Sequence, residues 1–224
     1  MSNIIVTGGD AGLGKEIVDF LNADGHNVLS YDIKQGYDVL NPDPFLVGNF
    51  KVDVLINCAG INKINWLENV AEADWDAVMD VNVKGIFKMS QAFLPRLIER
   101  KGTIVNIVSN AAHMPMRCSA AYNASKGAAL ILTKQLAREL TNKGVTVFSV
   151  SPNKLAGTEM SNSIDQQVVQ TRGWSLEEAQ RYQLAGLLTG EETPPEAVAE
   201  FIAFLLQDKA HHRYLSGCDL PYGA

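Results

Sequence analysis

The sequence contains few cysteines, no long apolar run and no excess of basic residues. Its three cysteines, Cys58, Cys118 and Cys218, are odd in number and widely spaced, which disfavours a disulfide framework or a cysteine metal site. We therefore expect a reducing, cytoplasmic location. The first apolar run, IIV, is too short for a secretory signal, and no run reaches membrane-spanning length. The net charge of −6 disfavours nucleic-acid and anionic-membrane partners.

A glycine-rich turn near the start of the chain is the first functional feature. Residues 3–7 are short, apolar and β-branched, which predicts a buried parallel strand, and a helical pattern follows the turn GGDAGLG. In this order, strand, turn and helix form the place where a dinucleotide's pyrophosphate meets helix amide groups. We assign Gly8 to the tight turn, Gly12 to close approach of the phosphates, and Gly14 to helix–strand packing.

The next predicted strand, HNVLSYD, ends at Asp32, which lies 24 residues after Gly8. An acid at this place binds the adenosine ribose hydroxyls of a dinucleotide. The carboxylate would repel the additional phosphate of NADP, and the nearby Ala11 and Ile33 are not basic. Ile33 can instead pack against the adenine, and we expect Lys34 to be solvated. The sequence therefore predicts a preference for NAD.

Residues 34–51 are too few for an ordinary crossover helix. Residues 37–40 (YDVL) predict a short strand, and Asp38 and Val39 are candidates to flank the adenine. Two X-Pro pairs at 41–44 then break the chain, so we expect a short or irregular connection.

A strand, TIVNIVS, delivers Ser109, and a following helix carries Tyr122 and Lys126. Four residues apart, Tyr122 and Lys126 share one helix face. An ammonium beside a phenol should lower the phenol's pKa, and the Ser109 hydroxyl could hold an alcohol or carbonyl oxygen against it. This arrangement suits general acid/base chemistry on an alcohol. Taken alone, the Tyr–Lys pattern is also that of an ordinary surface pair.

Two further features stand out from the core pattern. Asn82 lies within an apolar helical stretch, where a buried amide must find protein partners or a water. Residues 155–193 follow a strand and turn polar, with a helical pattern in WSLEEAQRYQLAGLL. We expect this insertion to form a lid over the substrate.

Together these motifs resemble the short-chain dehydrogenase/reductase family, single-domain type, over nearly the whole chain. TGGDAGLG at 7–14 is similar to its TGxxxGxG cofactor motif, and NCAG at 57–60 to its NNAG motif. The positions of the family's catalytic tetrad hold Asn82, Ser109, Tyr122 and Lys126. The resemblance implies a single α/β domain, residues 1–224, with a doubly wound Rossmann-type parallel sheet of about seven strands and helices on both faces.

The resemblance implies NAD(H)-dependent hydride transfer that interconverts a secondary alcohol and a ketone without a metal. Tyr122 would exchange the proton, and Lys126 would lower its pKa and bind the nicotinamide ribose. Ser109 would orient the substrate oxygen, and Asn82 would hold a water that links Lys126 to solvent. A homotetramer built from paired long helices and C-terminal segments is also implied. The further implied cofactor contacts are Thr7, Asp10, Leu13, Asn57, Ala59, Gly60, Pro152, Asn153, Leu155 and Thr158.

The sequence also departs from the family pattern. Pro152-Asn153 stands where the family often has Pro-Gly, and Thr158 lies one residue later than usual. We therefore expect a nicotinamide pocket that differs in detail.

The substrate and two alternative functions stay open. One alternative is a 3-oxoacyl-carrier-protein reductase; against it stand the acidic charge, Asp32, and Thr103 where a carrier-docking arginine often lies. The other is a catalytically idle NAD-binding redox sensor, a class that usually loses the Tyr or Lys. Arg117 could bind an anionic substrate or be a solvated loop residue. The candidate pocket residues are Asn62, Trp66, His113, Met114, Met116 and Arg117.

Overall fold

A computed structural model describes residues 1–207 and 213–223 of the protein. The described residues form one sheet of six parallel strands in the order β2-β1-β3-β4-β5-β6. His211 and His212, which the sequence indicates to be surface residues rather than ligands, lie outside the described residues. The strands are β1 Asn3–Thr7, β2 Asn27–Tyr31, β3 Val54–Asn57, β4 Thr103–Ile107, β5 Thr146–Pro152 and β6 Asp219–Tyr222.

Helices cover both faces of the sheet, which confirms the predicted doubly wound α/β class. The helices are α1 Gly12–Ala23, α2 Glu72–Met79, α3 Gly85–Arg100, α4 Ala120–Leu140, α5 Glu159–Arg172, α6 Leu176–Leu184 and α7 Pro195–Gln207. Ile4 and Val6 of β1 pack with α1 and α7, whereas Ile5 packs with α3 and α4. Because successive strand side chains point to opposite faces, the apolar run in β1 serves two cores.

The strand order creates a crevice at one edge of the sheet. β2 lies on one side of β1 and β3 on the other, so the connections after β1 and β3 diverge at their carboxyl ends. In open α/β sheets, ligands bind in the crevice outside the carboxyl ends of the strands at such a switch point. We therefore expect the ligand site in the loops that follow β1, β3, β4 and β5.

The connection between β2 and β3 is short and irregular, as predicted, but the strand predicted at 37–40 is wrong. Residues 37–40 form a turn, in which the Asp38 carboxylate accepts the amide N–H of Leu40 (2.8 Å) and the Asn41 side chain (3.0 Å). The Asp38 carboxylate thus binds the amide N–H of Leu40, which in a β-strand would donate to a neighbouring strand. This turn explains why six strands are observed where about seven were expected.

Arg96 of α3 holds the remainder of this connection. Its guanidinium donates to the carbonyl oxygens of Pro44 (2.9 Å), Gly48 (2.9 Å) and Phe50 (3.0 Å). Val47 and Phe50 add their side chains to the core beneath. Hydrogen bonds to one charged side chain therefore replace the helix that a longer crossover would contain.

Candidate active site

A groove with a cavity volume of about 480 Å³ runs along the carboxyl ends of the strands. One end, which we call the Asp32 end, is formed by residues 31–34 and 37–39. The other, the Tyr122 end, includes Ser109, Tyr122, Lys126 and Asn153. The predicted cofactor residues that line it are Gly8, Gly12, Leu13, Gly14, Asp32, Ile33, Asp38, Val39, Ala59, Gly60, Tyr122, Lys126, Pro152, Asn153, Leu155 and Thr158.

The glycine-rich turn forms the floor of the groove because side chains do not fit there. Gly8 has φ of 67°, and a Cβ built on it would lie 2.9 Å from the Cα of Ala59. A Cβ on Gly14 would lie 2.1 Å from the carbonyl oxygen of Gly8. Gly12 opens α1 at φ of 49°, and Ala11 supplies no side-chain cap. The residues present therefore fit a pyrophosphate on the amides of α1, the group that the dinucleotide motif implies.

At the Asp32 end, a buried carboxylate is held by two main-chain amides. Asp32 Oδ1 accepts the N–H of Lys34 (2.9 Å), and Oδ2 accepts the N–H of Asp10 (3.1 Å). Ile33, next in the chain, is 70% exposed and lines the groove together with Lys34. The lone pairs that remain on the carboxylate can accept ribose hydroxyls.

At the Tyr122 end, three side chains predicted from the sequence come together. The Ser109 side chain is hydrogen-bonded to the Tyr122 side chain, and its Oγ accepts the N–H of Ala111 (3.1 Å). The Lys126 Nζ lies 5.6 Å from the centroid of the Tyr122 ring and donates to the carbonyl oxygen of Ile107 (2.9 Å). A hydroxyl pair and a buried ammonium thus meet at the groove wall, which is the chemistry that proton transfer to an alcohol oxygen requires.

The predicted lowering of the Tyr122 pKa is wrong for this structure. Burial raises the pKa of Tyr122, and the hydrogen bond from Ser109 offsets only part of that effect. Burial also lowers the pKa of Lys126 to about 8. Desolvation penalises the charged form of both groups, so it outweighs the attraction expected between an ammonium and a phenolate. Burial raises the pKa of the neighbouring Cys58 thiol to about 12, which keeps it uncharged.

Asn82 finds protein partners, as its apolar surroundings required. It lies in a π-helical turn, Asp80–Lys84, between α2 and α3. Its Oδ1 accepts the N–H of Ile61 (2.9 Å), and its Nδ2 donates to the Ile61 carbonyl (3.0 Å) and to Ser125 Oγ (3.0 Å). The amide therefore joins the loop after β3 to α4. Its role in holding a water stays a prediction.

Three predicted cofactor residues support the groove rather than line it. Thr7 Oγ1 accepts the amides at 58 and 59 (2.9 and 3.0 Å). Asp10 accepts from Ser30 Oγ (2.5 Å), and Asn57 donates to Asn106 Oδ1 (2.8 Å). Each of these polar side chains forms a hydrogen bond with a neighbouring strand or loop. Sequence motifs alone do not distinguish such supporting positions from contacts with a ligand.

The predicted substrate residues lie away from the described wall of the groove. His113 Nε2 bonds Asp219 Oδ2 (2.7 Å), on the last strand, and Trp66 Nε1 donates to the carbonyl of Thr171 (3.1 Å). Neither residue is among those that line the groove. Asn62 is half-buried, and Met114, Met116 and Arg117 are exposed. A role of any of them in substrate binding stays a prediction.

Several residues that line the groove were not assigned from the sequence. Tyr37 stacks on Tyr31 with ring centroids 4.6 Å apart, beside Asp38. Glu159 and Met160 begin α5 directly after Thr158, and their position in the chain could have identified them. The other unassigned residues are Ala11, Lys34, Cys58, Ile61, Val81, Ile107 and Val108.

The polar insertion at 155–193 contains α5 and α6 and is anchored beside the groove. Lys154 Nζ, which is nearly buried, binds Asp165 of α5 (2.5 Å), Gln183 of α6 (3.1 Å) and Glu192 (3.0 Å). The Lys154 ammonium therefore fixes α5 through the Asp165 carboxylate and α6 through the Gln183 amide, both beside the end of β5. Such a paired arrangement is what burial of a lysine requires.

The chain matches one family model and several known proteins in sequence. A family model described as short chain dehydrogenase matches residues 47–169, more than half of the chain. The chain is 31% identical to the 3-oxoacyl-(acyl-carrier-protein) reductase FabG of Staphylococcus epidermidis, over 95% of this chain and 93% of that protein. The chain belongs to the short-chain dehydrogenase family. This short-chain dehydrogenase is also 34% identical to 2-(S)-hydroxypropyl-CoM dehydrogenase 3 of Xanthobacter autotrophicus, over 92% and 90% of the two chains.

Solved structures agree with this assignment. One neighbour, described as an NAD(P)-dependent gluconate 5-dehydrogenase from Beutenbergia cavernae with NADP bound at low occupancy, has a TM-score of 0.83 and 26% identity. It covers 98% of this short-chain dehydrogenase and 94% of its own chain. Aldohexose dehydrogenase of Thermoplasma acidophilum has a TM-score of 0.84 at 24% identity, covering 98% and 91%, and supports the fold alone. The protein is therefore an oxidoreductase of this family with a nicotinamide dinucleotide cofactor.

Residues 1–207 and 213–223 include no helix with the length and apolar character needed to cross a membrane. In the same part of the chain, no three His, Cys, Asp or Glu side chains are grouped so that they could hold a metal ion.

Proposed function

We propose that this short-chain dehydrogenase interconverts a secondary alcohol and a ketone with NAD(H), using Tyr122 as acid/base. The observation that carries the proposal is the hydrogen-bonded Ser109–Tyr122 pair at the groove wall, with the Lys126 ammonium beside it. When bound, the nicotinamide accepts or donates the hydride, and the protein supplies orientation and proton transfer. We further infer that the protein works in the cytoplasm, as its free cysteines suggest.

The residues of the Tyr122 end divide the proton chemistry between them. Ser109 donates a hydrogen bond to the substrate oxygen, which holds that oxygen against the Tyr122 hydroxyl. In ketone reduction, Tyr122 gives its proton to the developing alkoxide; in alcohol oxidation, the phenolate takes the proton. Because burial raises its pKa, Tyr122 is protonated at neutral pH. In the free protein Tyr122 is therefore in the protonated form, which can act as a general acid in ketone reduction.

Asp32 supports the choice of NAD. Its carboxylate is buried, fixed by two amides, and part of the groove lining. A 2′-phosphate beside it would be repelled unless a cation intervened. Lys34 is exposed and lines the same end of the groove.

The second candidate is a 3-oxoacyl-carrier-protein reductase, favoured by the similarity to the staphylococcal enzyme. The absence of an arginine at position 103 does not oppose this candidate, because that position is buried and distant from Ser109 along β4. Thr103 is the first residue of β4 and is buried, whereas Ser109 follows the other end of that strand. The net charge of −6 still opposes a carrier of like charge.

A substrate panel tests these proposals. Secondary alcohols, hydroxy acids and a 3-hydroxyacyl thioester on its carrier protein are each incubated with NAD or NADP, and coenzyme reduction is followed by absorbance. We expect turnover of a small secondary alcohol with NAD. Turnover confined to the carrier-bound thioester would favour the second candidate. Binding of NADH without turnover of any compound would favour the redox sensor.

We also infer a homotetramer with two-fold axes, in which α3, α4 and α7 pair with their copies. Phe87 of α3, Ile131 of α4 and Phe204 of α7 are 45%, 63% and 65% exposed, which gives each helix an apolar side chain for such a contact. Light scattering at micromolar concentration should give four times the 24.4 kDa of the chain. A single peak at the monomer mass would contradict this assembly.

A further inference from the structure

Helix α5 passes over the carboxyl end of β4, the strand that delivers Ser109. It begins shortly after β5, and its first two residues line the groove. Farther along, its Gln167 Oε1 accepts the main-chain N–H of Ile64 (2.8 Å), in the loop after β3. The carbonyl of Thr171 accepts Trp66 Nε1 from the same loop (3.1 Å). Because β4 lies between β3 and β5 in the sheet, a helix that joins these two sides covers the Tyr122 end.

Apolar packing alone does not explain how α5 and its neighbour α6 are held there. Within these two fully described helices, the buried apolar side chains are Val168 and Ala179. Hydrophobic stabilisation is proportional to the apolar area removed from water, and one valine and one alanine provide little of it for helices of 14 and 9 residues. Polar interactions must therefore supply much of the attachment.

The Lys154 cluster, composed of Lys154, Asp165, Gln183 and Glu192, provides this attachment. The side chains of Lys154 and Asp165 are 11% and 8% exposed, and the Lys154 Nζ lies 2.5 Å from Asp165 Oδ1. Gln183 binds both members of the pair: its Oε1 accepts from Lys154 (3.1 Å), and its Nε2 donates to Asp165 Oδ1 (2.7 Å). Removing one partner of a buried ion pair leaves an uncompensated charge, which is strongly destabilising. The position of α5 beside β5 therefore depends on this charge pair.

The same cluster closes the base of the lid. Glu192 Oε1 lies 3.0 Å from Lys154 Nζ. The next residue, Thr193, donates its main-chain N–H to the carbonyl of Lys154 (2.9 Å) and accepts the N–H of Ala156 with its own carbonyl (3.0 Å). The two ends of the insertion at 155–193 therefore meet at Lys154, and one side chain joins both ends of the lid to its two helices.

We propose that Lys154 and Asp165 are positioning residues, which hold α5 over the substrate at the Tyr122 end and thereby set substrate affinity. The inference rests on the proposed function, because it requires the substrate oxygen at Ser109 and Tyr122. Lys154 and Asp165 are not among the residues that line the groove, so they act through α5 rather than on the reacting atoms. Loss of the pair therefore weakens substrate binding more than it slows proton transfer.

Steady-state kinetics of a double-mutant cycle tests this role, with saturating NAD and the secondary alcohol that gives the highest kcat/KM in the substrate panel. Lys154→Met keeps the length of the side chain and leaves the Asp165 carboxylate unpaired. We expect it to raise KM for the alcohol about tenfold or more and to leave kcat within about threefold of wild type. Adding Asp165→Asn removes the uncompensated charge and keeps an acceptor for Gln183, so KM should return to within about threefold of wild type.

Two further measurements need no turnover. Trypsin cleaves after Arg172 and Arg181, which both lie in the lid. We expect cleavage at these sites to be about tenfold faster in Lys154→Met than in wild type, because proteolysis reports local opening. The Kd for NADH, measured by fluorescence, should stay within about threefold, since the rest of the domain keeps its core. Lys84→Met, at an exposed ion pair with Asp80, is the matched control and should change none of these values more than about twofold.

Each outcome has a distinct meaning. An unchanged KM in a Lys154→Met protein that binds NADH would overturn the proposal and leave the proposed function standing. A loss confined to kcat, or a KM that the added Asp165→Asn does not lower, would overturn it as well. If Lys154→Met does not fold, Asp165→Asn alone decides: we expect KM to rise about threefold, and an unchanged KM would contradict the proposal. Absence of turnover by the wild-type protein with every alcohol would overturn the proposed function and this inference with it.

Discussion

The two ends of the groove are built in different ways. At the Asp32 end, most carboxylate bonds are local: Asp32 accepts from Lys34 and Asp38 from Leu40, although Asp32 also accepts from Asp10, 22 residues earlier. At the Tyr122 end, the groups that meet come from separate elements, as in the bond from Lys126 of α4 to the carbonyl of Ile107 in β4. The first end is therefore shaped largely by local turn chemistry, whereas the second depends on contacts between separate elements.

This difference has electrostatic consequences. The Tyr122 end is enclosed by packed strands and by α4, and burial there shifts the pKa of Tyr122 upward and that of Lys126 down to about 8. Catalytic sites commonly use burial in this way to tune proton transfer. We therefore expect that variants at one end of the groove change recognition of the cofactor's adenosine half, and that variants at the other end change proton transfer.

Removal of the Tyr122 hydroxyl should give the largest effect and should affect the Tyr122 end alone. We expect Tyr122→Phe to lower kcat by ~100-fold to ~10,000-fold, because general acid/base catalysis contributes that range. The Kd for NADH, measured by fluorescence, should stay within about twofold of wild type. Near-normal turnover by this variant would refute the assignment of Tyr122 as acid/base.

Removal of the Arg96 guanidinium should destabilise the connection between β2 and β3, which follows the Asp32 end of the groove in the chain. Arg96→Met leaves the carbonyls of Pro44, Gly48 and Phe50 without their charged donor. Since hydrogen bonds to charged groups contribute about 1.5–3 kcal/mol, we expect the free energy of unfolding to fall by about 3 kcal/mol in urea titrations. Arg138→Met, at an exposed arginine of α4, is the matched control and should change it by less than ~0.5 kcal/mol.

Substitution of Asp32 should change the choice of coenzyme. We expect the wild-type protein to prefer NAD by at least ~100-fold in kcat/KM, equivalent to about 2.7 kcal/mol. Asp32→Ala should reduce this preference to ~10-fold or less, mainly by relieving repulsion of NADP. Asp32→Asn keeps the shape without the charge and should behave similarly. If Lys34→Ala rather than Asp32→Ala altered the preference, the exposed lysine would be the determinant.

The buried ammonium of Lys126 should give the smallest effect, a pH dependence of stability. Its folded pKa is about 8, below the ordinary 10.5, so between these values the unfolded chain binds more protons and stability rises with pH. Between pH 7 and 9, the wild-type free energy of unfolding should rise by about 1 kcal/mol relative to that of Lys126→Met. Parallel pH profiles for the two proteins would show that Lys126 is not desolvated.

Much of the fold was predictable because its determinants are local. The apolar run at 3–7 and the positive-φ glycines at 8 and 12 act through their own backbone and nearest neighbours, so sequence reasoning identified them. The spacing of Tyr122 and Lys126 likewise fixed their common helix face before any tertiary contact was known. The turn at 37–40 was missed because the side chain of Asp38 competes with strand pairing, a choice that apolar alternation does not reveal.

The sequence by itself determined the α/β class, the glycine-rich turn and the grouping of Tyr122 and Lys126 with Ser109. The reason is that the carboxyl ends of the strands in a parallel sheet share one edge. Only the tertiary structure decided that Thr7, Asp10 and Asn57 support the groove and that His113 binds Asp219. It also reversed the expected pKa shift of Tyr122. The physical reason is common to these cases: hydrogen-bond partners and desolvation depend on residues far apart in the chain, which only packing brings together.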